Sequence, residues 1–233
     1  MFPLRYKNQK ELILNGFIPL FKNQSDLFDF ACADGEWTYM LAQHVKHVDG
    51  YEYSQKMVDM ANMKYLHGNM RDRLSFSQAD IFNFQVEKIY DGGACLGLLT
   101  CLSENEHDAV EKLWKMIKPN GYLVTKDTLD ISFEYPLYHF NINNGYSATY
   151  HDIENYAKLF LDAGFKLCHD VVLDKVRQEN IDFISWGGCL GKDGLNNKVN
   201  TNSNLHRCYY GGNNEELYDR NFRSSVICDS RFI

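Results

Sequence analysis

Leu27-Phe-Asp-Phe-Ala-Cys-Ala-Asp-Gly-Glu-Trp-Thr38 reads as an apolar strand, a turn of small residues and the start of a helix. Small residues let a ligand approach the backbone closely, and doubly wound folds bind nucleotides at the carboxyl end of the first strand. The match to a G-x-G-x-x-G dinucleotide pattern is poor, because Ala31 and Ala33 take the first two small positions and only Gly35 remains. Charge is the sharper objection. Asp34 and Glu36 stand where the helix begins, and a pyrophosphate needs bare N–H groups and the positive dipole end there. Two carboxylates repel it, which argues against a nicotinamide-dependent oxidoreductase and favours a cationic ligand without phosphates.

Other chemistry is absent from the pattern. Seven cysteines, an odd number with no C-x-x-C pair, read as reduced and partly buried thiols rather than disulfides or a zinc site. The eight histidines lack H-x-x-x-H or H-E-x-x-H spacing, so no metal site is expected.

The elements that must position the loop follow from periodicity. Apolar runs at 27–31, 48–53, 74–78, 92–98, 121–126, 165–173 and 182–190 read as strands, with helical patterns between them. Ser103-x-x-Glu106 reads as a capping box before Ala109, Val110, Leu113, Trp114 and Ile117, and Lys118-Pro-Asn-Gly121 as the stop. Thr149-x-x-Asp152 opens a second such helix, with Ile153, Tyr156, Ala157, Phe160 and Leu161 on one face and Gly164 closing it. Trp37, Met40, Leu41 and Val48 mark another helix, and Met57, Ala61 and Tyr65 a further one. The expected fold is α/β, a doubly wound, mostly parallel seven-stranded Rossmann-like sheet with helices on both faces. Residues 1–24 are expected to form an N-terminal helical segment, 25–192 the main domain, and 193–233 a C-terminal extension.

Composition bounds the function. Lys+Arg is 24 against Asp+Glu 31, a net charge of −7, which argues against coating nucleic acid or an anionic membrane. The longest near-continuous apolar run, Gly93–Leu102, is far short of the roughly 20 residues of a membrane span, and the first 22 residues lack a leader pattern. A cytoplasmic protein is the expectation. Five of the nine residues 196–204 are asparagine, reading as a linker. Residues 205–233 regain aromatics (Tyr209, Tyr210, Tyr218, Phe222, Phe232), so an ordered lid or a homodimer contact is expected of them.

S-adenosylmethionine, with a sulfonium and an amino group, is a cationic ligand of the kind the loop calls for. Asp29-Phe-Ala-Cys-Ala-Asp-Gly35 resembles the first motif of class I S-adenosylmethionine-dependent methyltransferases in its D-x-A-C-x-x-G variant. Gly50-Tyr-Glu-Tyr-Ser-Gln-Lys-Met57, Gln78-Ala-Asp-Ile81, Tyr90 through Leu102, and Ile117-Lys-Pro-Asn-Gly-Tyr-Leu-Val124 resemble the next four motifs in the family's order. The departures are the loop alanines, which should narrow the loop without abolishing binding, and Asn120 where a second glycine is usual.

The resemblance implies roles. Glu52, 23 residues beyond Asp29, would accept from both ribose hydroxyls, a task suited to a carboxylate. Asp80 would accept from the adenine amino group while the Ile81 N–H meets a ring nitrogen; for Asp80 the plain alternative is a turn cap. Asp29 would orient the loop, and carbonyls near Ala31 and Leu96 would receive the methionine amino group. Tyr53 and Met57 would pack on ribose and adenine, or simply in the core. The family places acceptor contacts after the fourth and fifth strands and in the segment before the sixth. Here these are Thr100, Asp127 and the aromatic stretch 133–150, with Glu134, Tyr138, His139 and, just beyond it, His151. Asp127 and His139 are the base candidates, with a capping Asp and a surface His as plain alternatives. The implied function is methyl transfer to O or N of a small molecule, for example a sugar, a nucleotide-sugar or another cell-surface or secondary-metabolite precursor. The alternatives are a methyltransferase of protein, lipid or nucleic acid, and a non-catalytic binding module.

Overall fold

The computed structural model describes residues 3–102, 105–130, 137–141, 146–178 and 181–192. The chain divides into two units, Met1–Leu195 and Asn196–Ile233; the expected C-terminal extension from residue 193 lies outside the described residues.

Helix α1 (Pro3–Glu11) runs on through a π-type turn at Leu12–Phe17 and a 3-10 turn at Ile18–Leu20. Then follow β1 (Asp26–Phe30), α2 (Glu36–Ala42), β2 (His47–Glu52), α3 (Gln55–Tyr65), β3 (Leu74–Gln78), β4 (Tyr90–Leu96), α4 (Glu106–Met116) and β5 (Ile117–Asp130). A hairpin, β6 (Leu137–Asn141) and β7 (Tyr146–Tyr150), precedes α5 (Ile153–Ala163), β8 (Phe165–Gln178) and β9 (Ile181–Lys192). The seven-stranded sheet has the order β3-β2-β1-β4-β5-β9-β8. Its first five strands pair in parallel, and β9 pairs antiparallel with both β5 and β8. The order reverses between β1 and β4, the switch point where ligands lodge outside the carboxyl ends of such sheets.

Each face of the sheet carries its own core. On one, Phe28, Phe30, Tyr90 and Leu123 meet Ala109, Val110, Leu113 and Met116 of α4 and Tyr156, Leu159 and Phe160 of α5. On the other, Leu27, Val48, Ala94 and Val124 meet Leu41 of α2, Val58 and Ala61 of α3, and Leu12, Ile13 and Phe17. The N-terminal helical segment therefore contributes to the main core.

Several boundaries differ from the sequence reading. Ile117 opens β5 instead of closing a helix, since Asn120, at φ +63°, turns the chain within one long strand. The reading missed β6 and β7, each only five residues long, although Tyr146, Ala148 and Tyr150 alternate with Ser147 and Thr149 in β7. Asp152, not Thr149, caps α5: its carboxylate accepts from the Asn155 N–H at 2.7 Å, while Thr149 sits in β7. Asn105 takes the N-cap position of α4, without a side-chain bond, and Ser103 lies outside the described residues. In α3 the buried face is Val58 and Ala61, leaving Met57 37% exposed.

Candidate functional site

Register brings the sequence-predicted residues to one edge. Phe30 stands beside Tyr51 and Cys95, Glu52 beside Gln78, and Leu96 beside Lys126, so β1 to β4 end together while β5 runs on to Asp130. The loop leaving β1 is bound to its neighbour, as the Ala31 and Cys32 amides both donate to the Tyr51 carbonyl, at 2.8 and 3.1 Å. Ala31 (φ +65°), Ala33 (φ +49°) and Gly35 (φ +83°) all adopt left-handed backbone. For an alanine that conformation costs on the order of 1–2 kcal/mol. Gly35 has a second reason for its identity, since a Cβ there would lie 2.6 Å from the Phe76 ring. The backbone thus needs glycine-like geometry at all three sites but uses glycine only where space is also missing.

The three carboxylates differ in their surroundings. Asp29 is buried, and its Oδ2 accepts from the Thr38 hydroxyl at 2.7 Å, tying the end of β1 to α2. Burial pushes its carboxyl up to about 7; the Thr38 hydrogen bond opposes this and the nearby Glu52 charge adds to it. Glu52 accepts from the Ala33 amide at 3.0 Å and, through its other oxygen, from the Ser54 amide at 3.0 Å. Each oxygen keeps a further lone pair, so the carboxylate is aimed by two backbone bonds and still able to accept two more. Asp80 accepts from the Phe82 amide at 3.0 Å and from Asn83 Nδ2 at 2.7 Å, the turn cap named above as its alternative. Ile81 is buried, and its amide has no hydrogen-bond acceptor among the described residues. Tyr53 is 72% exposed, so neither it nor Met57 is a core residue. An open cleft of about 440 Å³ runs from Ala79 and Asp80 past Tyr51 and Phe84 to Lys88, and no residue of the β1 loop lines it.

At the ends of β4 and β5, Asp127 is buried with both oxygens engaged. Oδ1 accepts from the Thr100 hydroxyl at 3.0 Å, and Oδ2 from the Tyr156 hydroxyl at 2.8 Å. Tyr156 also bonds Thr125 at 2.7 Å. Burial raises the Asp127 carboxyl, although Tyr156 and Thr100 pull it down. His139 lies in β6 opposite Ala148; its side chain, with Glu134 and Tyr138, falls outside what is described. Sequence reasoning missed three connections: Thr38 to Asp29, Tyr156 to Asp127, and His151 Nε2 to Glu106 Oε1 at 3.2 Å. Tyr156 and Glu106 were visible only as a helix face and a cap, and their polar bonds join segments distant in sequence. Among the described residues no cluster of His, Cys, Asp and Glu could hold a metal ion, and no helix is long and apolar enough to cross a membrane.

Residues 27–121 match the family model described as a methyltransferase domain. No curated protein matches the chain. Among solved structures, it is similar to a S-adenosylmethionine-dependent methyltransferase from Methanosarcina mazei, at 12% identity and TM-score 0.63, over 75% of this chain and 95% of that one. It is similar to the [4+2]-cyclase SpnF at 15% identity and TM-score 0.64, over 82% and 81%. It is also similar to magnesium protoporphyrin IX methyltransferase from Synechocystis PCC 6803, solved with the cofactor bound, at 18% identity and TM-score 0.58, over 81% and 79%. At these identities the likeness is one of fold. A cyclase on the same fold means that the reaction has to be argued from the residues of the site.

Proposed function

We propose that this class I S-adenosylmethionine-dependent methyltransferase methylates an oxygen or nitrogen of a small molecule. The observation that carries the reading is Glu52, held by the Ala33 and Ser54 amides with one acceptor position open on each oxygen. That arrangement suits the two hydroxyls of a ribose. The Ile81 amide is available to a ring nitrogen, and the left-handed backbone of Ala31, Ala33 and Gly35 leaves the loop free of bulk. The donor set fits a cofactor without phosphates, because Glu36, held by the Tyr6 hydroxyl, keeps a carboxylate in the first turn of α2, while Asp34 beside it is paired with Lys64. When bound, S-adenosylmethionine supplies a methyl group already activated on sulfur. The residues of this chain therefore have to align the acceptor, and effective molarity from alignment is a large part of such catalysis. Asp127, bonded by the Thr100 and Tyr156 hydroxyls, serves as a brace for the turn after β4. A small acceptor is favoured over a polyanion because the excess of acid, −7 over the chain, leaves no basic field to gather one.

Titration calorimetry on the purified protein tests this. S-adenosylmethionine binds with a Kd in the micromolar range, and Glu52→Ala weakens it by roughly 1.5–3 kcal/mol, the loss of charge-assisted hydrogen bonds. Glu52→Gln loses less. No binding of either S-adenosylmethionine or S-adenosylhomocysteine would overturn the reading, and unchanged affinity in Glu52→Ala would show that β2 is misassigned.

A further inference from the structure

Two histidine–carboxylate pairs exist among the described residues outside the cofactor ledge (the proposed site of Glu52, Ile81 and the β1–α2 loop), at opposite ends of the sheet. His47 and Asp49 lie in the first half of β2, the amino end. His151 follows β7, and its carbonyl accepts from the Asp130 amide, the last residue of β5, at 2.9 Å. Its partner Glu106 opens α4, the helix that follows β4. The second pair therefore stands at the carboxyl ends of β4 and β5, the end where the cofactor ledge lies.

Hydrogen bonding separates them chemically. His47 has both ring nitrogens engaged, Nε2 with Asp49 Oδ1 at 2.9 Å and Nδ1 with the Asp72 carbonyl at 3.2 Å. Both partners are acceptors, so both nitrogens carry hydrogen and neither can take a proton. His151 has one nitrogen engaged, Nε2 with Glu106 Oε1. A carboxylate oxygen accepts, so Nε2 carries the hydrogen and Nδ1 keeps its lone pair. Nδ1 has no partner among the described residues. The pair is well buried, with the His151 side chain 15% and the Glu106 side chain 6% exposed. Two residues before His151, the Thr149 hydroxyl is buried without a hydrogen-bond partner, an arrangement that leaves a polar group to be satisfied by something outside the described residues.

We infer that His151, oriented by Glu106, is the general base for methyl transfer, an inference that rests on the small-molecule reading above. As the acceptor's oxygen or nitrogen forms its bond to the methyl carbon, the C–S bond breaks with its electron pair staying on sulfur. The acceptor's proton passes to His151 Nδ1, and the Glu106 carboxylate balances the imidazolium that results. His151 then returns the proton to water. Asp127 is buried, with Thr100 donating to one oxygen and Tyr156 to the other, a setting that suits it to bracing the turn after β4.

Two measurements on the wild-type protein test this without the acceptor. Nitrogen-15 spectra of the histidines, with His151→Gln used only for assignment, show Nε2 of His151 as the protonated nitrogen and Nδ1 as the bare one. Diethyl pyrocarbonate, which reacts with a bare imidazole nitrogen, labels His151 in mass-mapped peptides, and saturating S-adenosylhomocysteine slows that labelling severalfold. His44, exposed in the turn before β2 at the amino end, is labelled at the same rate with and without it. The opposite tautomer, or labelling of His151 that S-adenosylhomocysteine leaves unchanged, overturns the inference. If calorimetry detects no S-adenosylhomocysteine binding at all, the proposed function fails and this inference falls with it; bound product without protection removes only the base.

Discussion

Three aspartates of this chain have the same side chain and different chemistry because their neighbours differ. Asp49 is ringed by donors, His47, Ser75, Lys88 and Tyr90, which together outweigh its burial and hold its carboxyl well below the usual range. Asp127 and Asp29 are more deeply buried and have fewer donors, so burial wins and both are raised. For Asp29 the consequence for stability can be signed. Its folded value of about 7 exceeds the unfolded value of 3.8, so the folded state binds the proton more tightly. Its contribution is full below about pH 3.8 and is lost as pH rises through 7. Asp29→Asn keeps an acceptor for Thr38 but cannot ionise. Stability of the variant relative to wild type should therefore rise between pH 4 and 8, by up to roughly 4 kcal/mol at 1.36 kcal/mol per unit. Urea denaturation at several pH values measures it, and parallel pH profiles for the two proteins would refute the assignment of Asp29 as the buried titrating group.

At the scale of elements, legibility followed periodicity. The β1–α2 loop, the ends of β2 and β3, and the apolar faces of α4 and α5 were readable, because buried faces impose a repeat on the sequence. The β6–β7 hairpin and the length of β5 were not. The hairpin strands are only five residues each, and Asn120, with its left-handed φ, looks like a stop until the pairing of Ile117 with Tyr90 and of Tyr122 with Gly92 shows the strand on both sides of it. Side-chain bonds between distant segments, such as Glu106 to His151, leave no local trace at all. Backbone sign was equally hidden: Ala31 and Ala33 read as small residues, whereas the structure has them in a conformation alanine resists. Glycine costs roughly 0.5–1 kcal/mol in unfolded-state entropy and removes on the order of 1–2 kcal/mol of left-handed strain. Ala31→Gly and Ala33→Gly should each therefore stabilise the protein by about 0.5–1 kcal/mol. Thermal denaturation decides; a lower melting temperature for both would mean that the loop is not left-handed at these positions.

Across the whole molecule, the described residues of the first unit end at Lys192. Both cores draw on residues 12 to 190, and the last described residue, Lys192, donates to the carbonyls of Trp114 and Ile117 at 2.8 and 2.7 Å, where α4 gives way to β5. The same ammonium lies 4.3 Å from the centre of the Trp114 ring, so any truncation has to spare it. Residues 193–233 carry five basic and five acidic side chains, so removing them leaves the net charge at −7. A chain ending at Lys192 is thus expected to bind S-adenosylmethionine with full-length affinity and to melt within roughly 2 °C of it, a shift below 1 kcal/mol for a protein of this size. The role proposed for the extension shows in the remaining readouts. Fewer subunits per particle by light scattering assigns it to a contact between subunits, while an unchanged subunit number with slower methyl transfer assigns it to covering the acceptor. If subunit number, melting and turnover all match the full-length chain, the aromatic residues of 205–233 form no functional element and the expectation drawn from their composition is wrong.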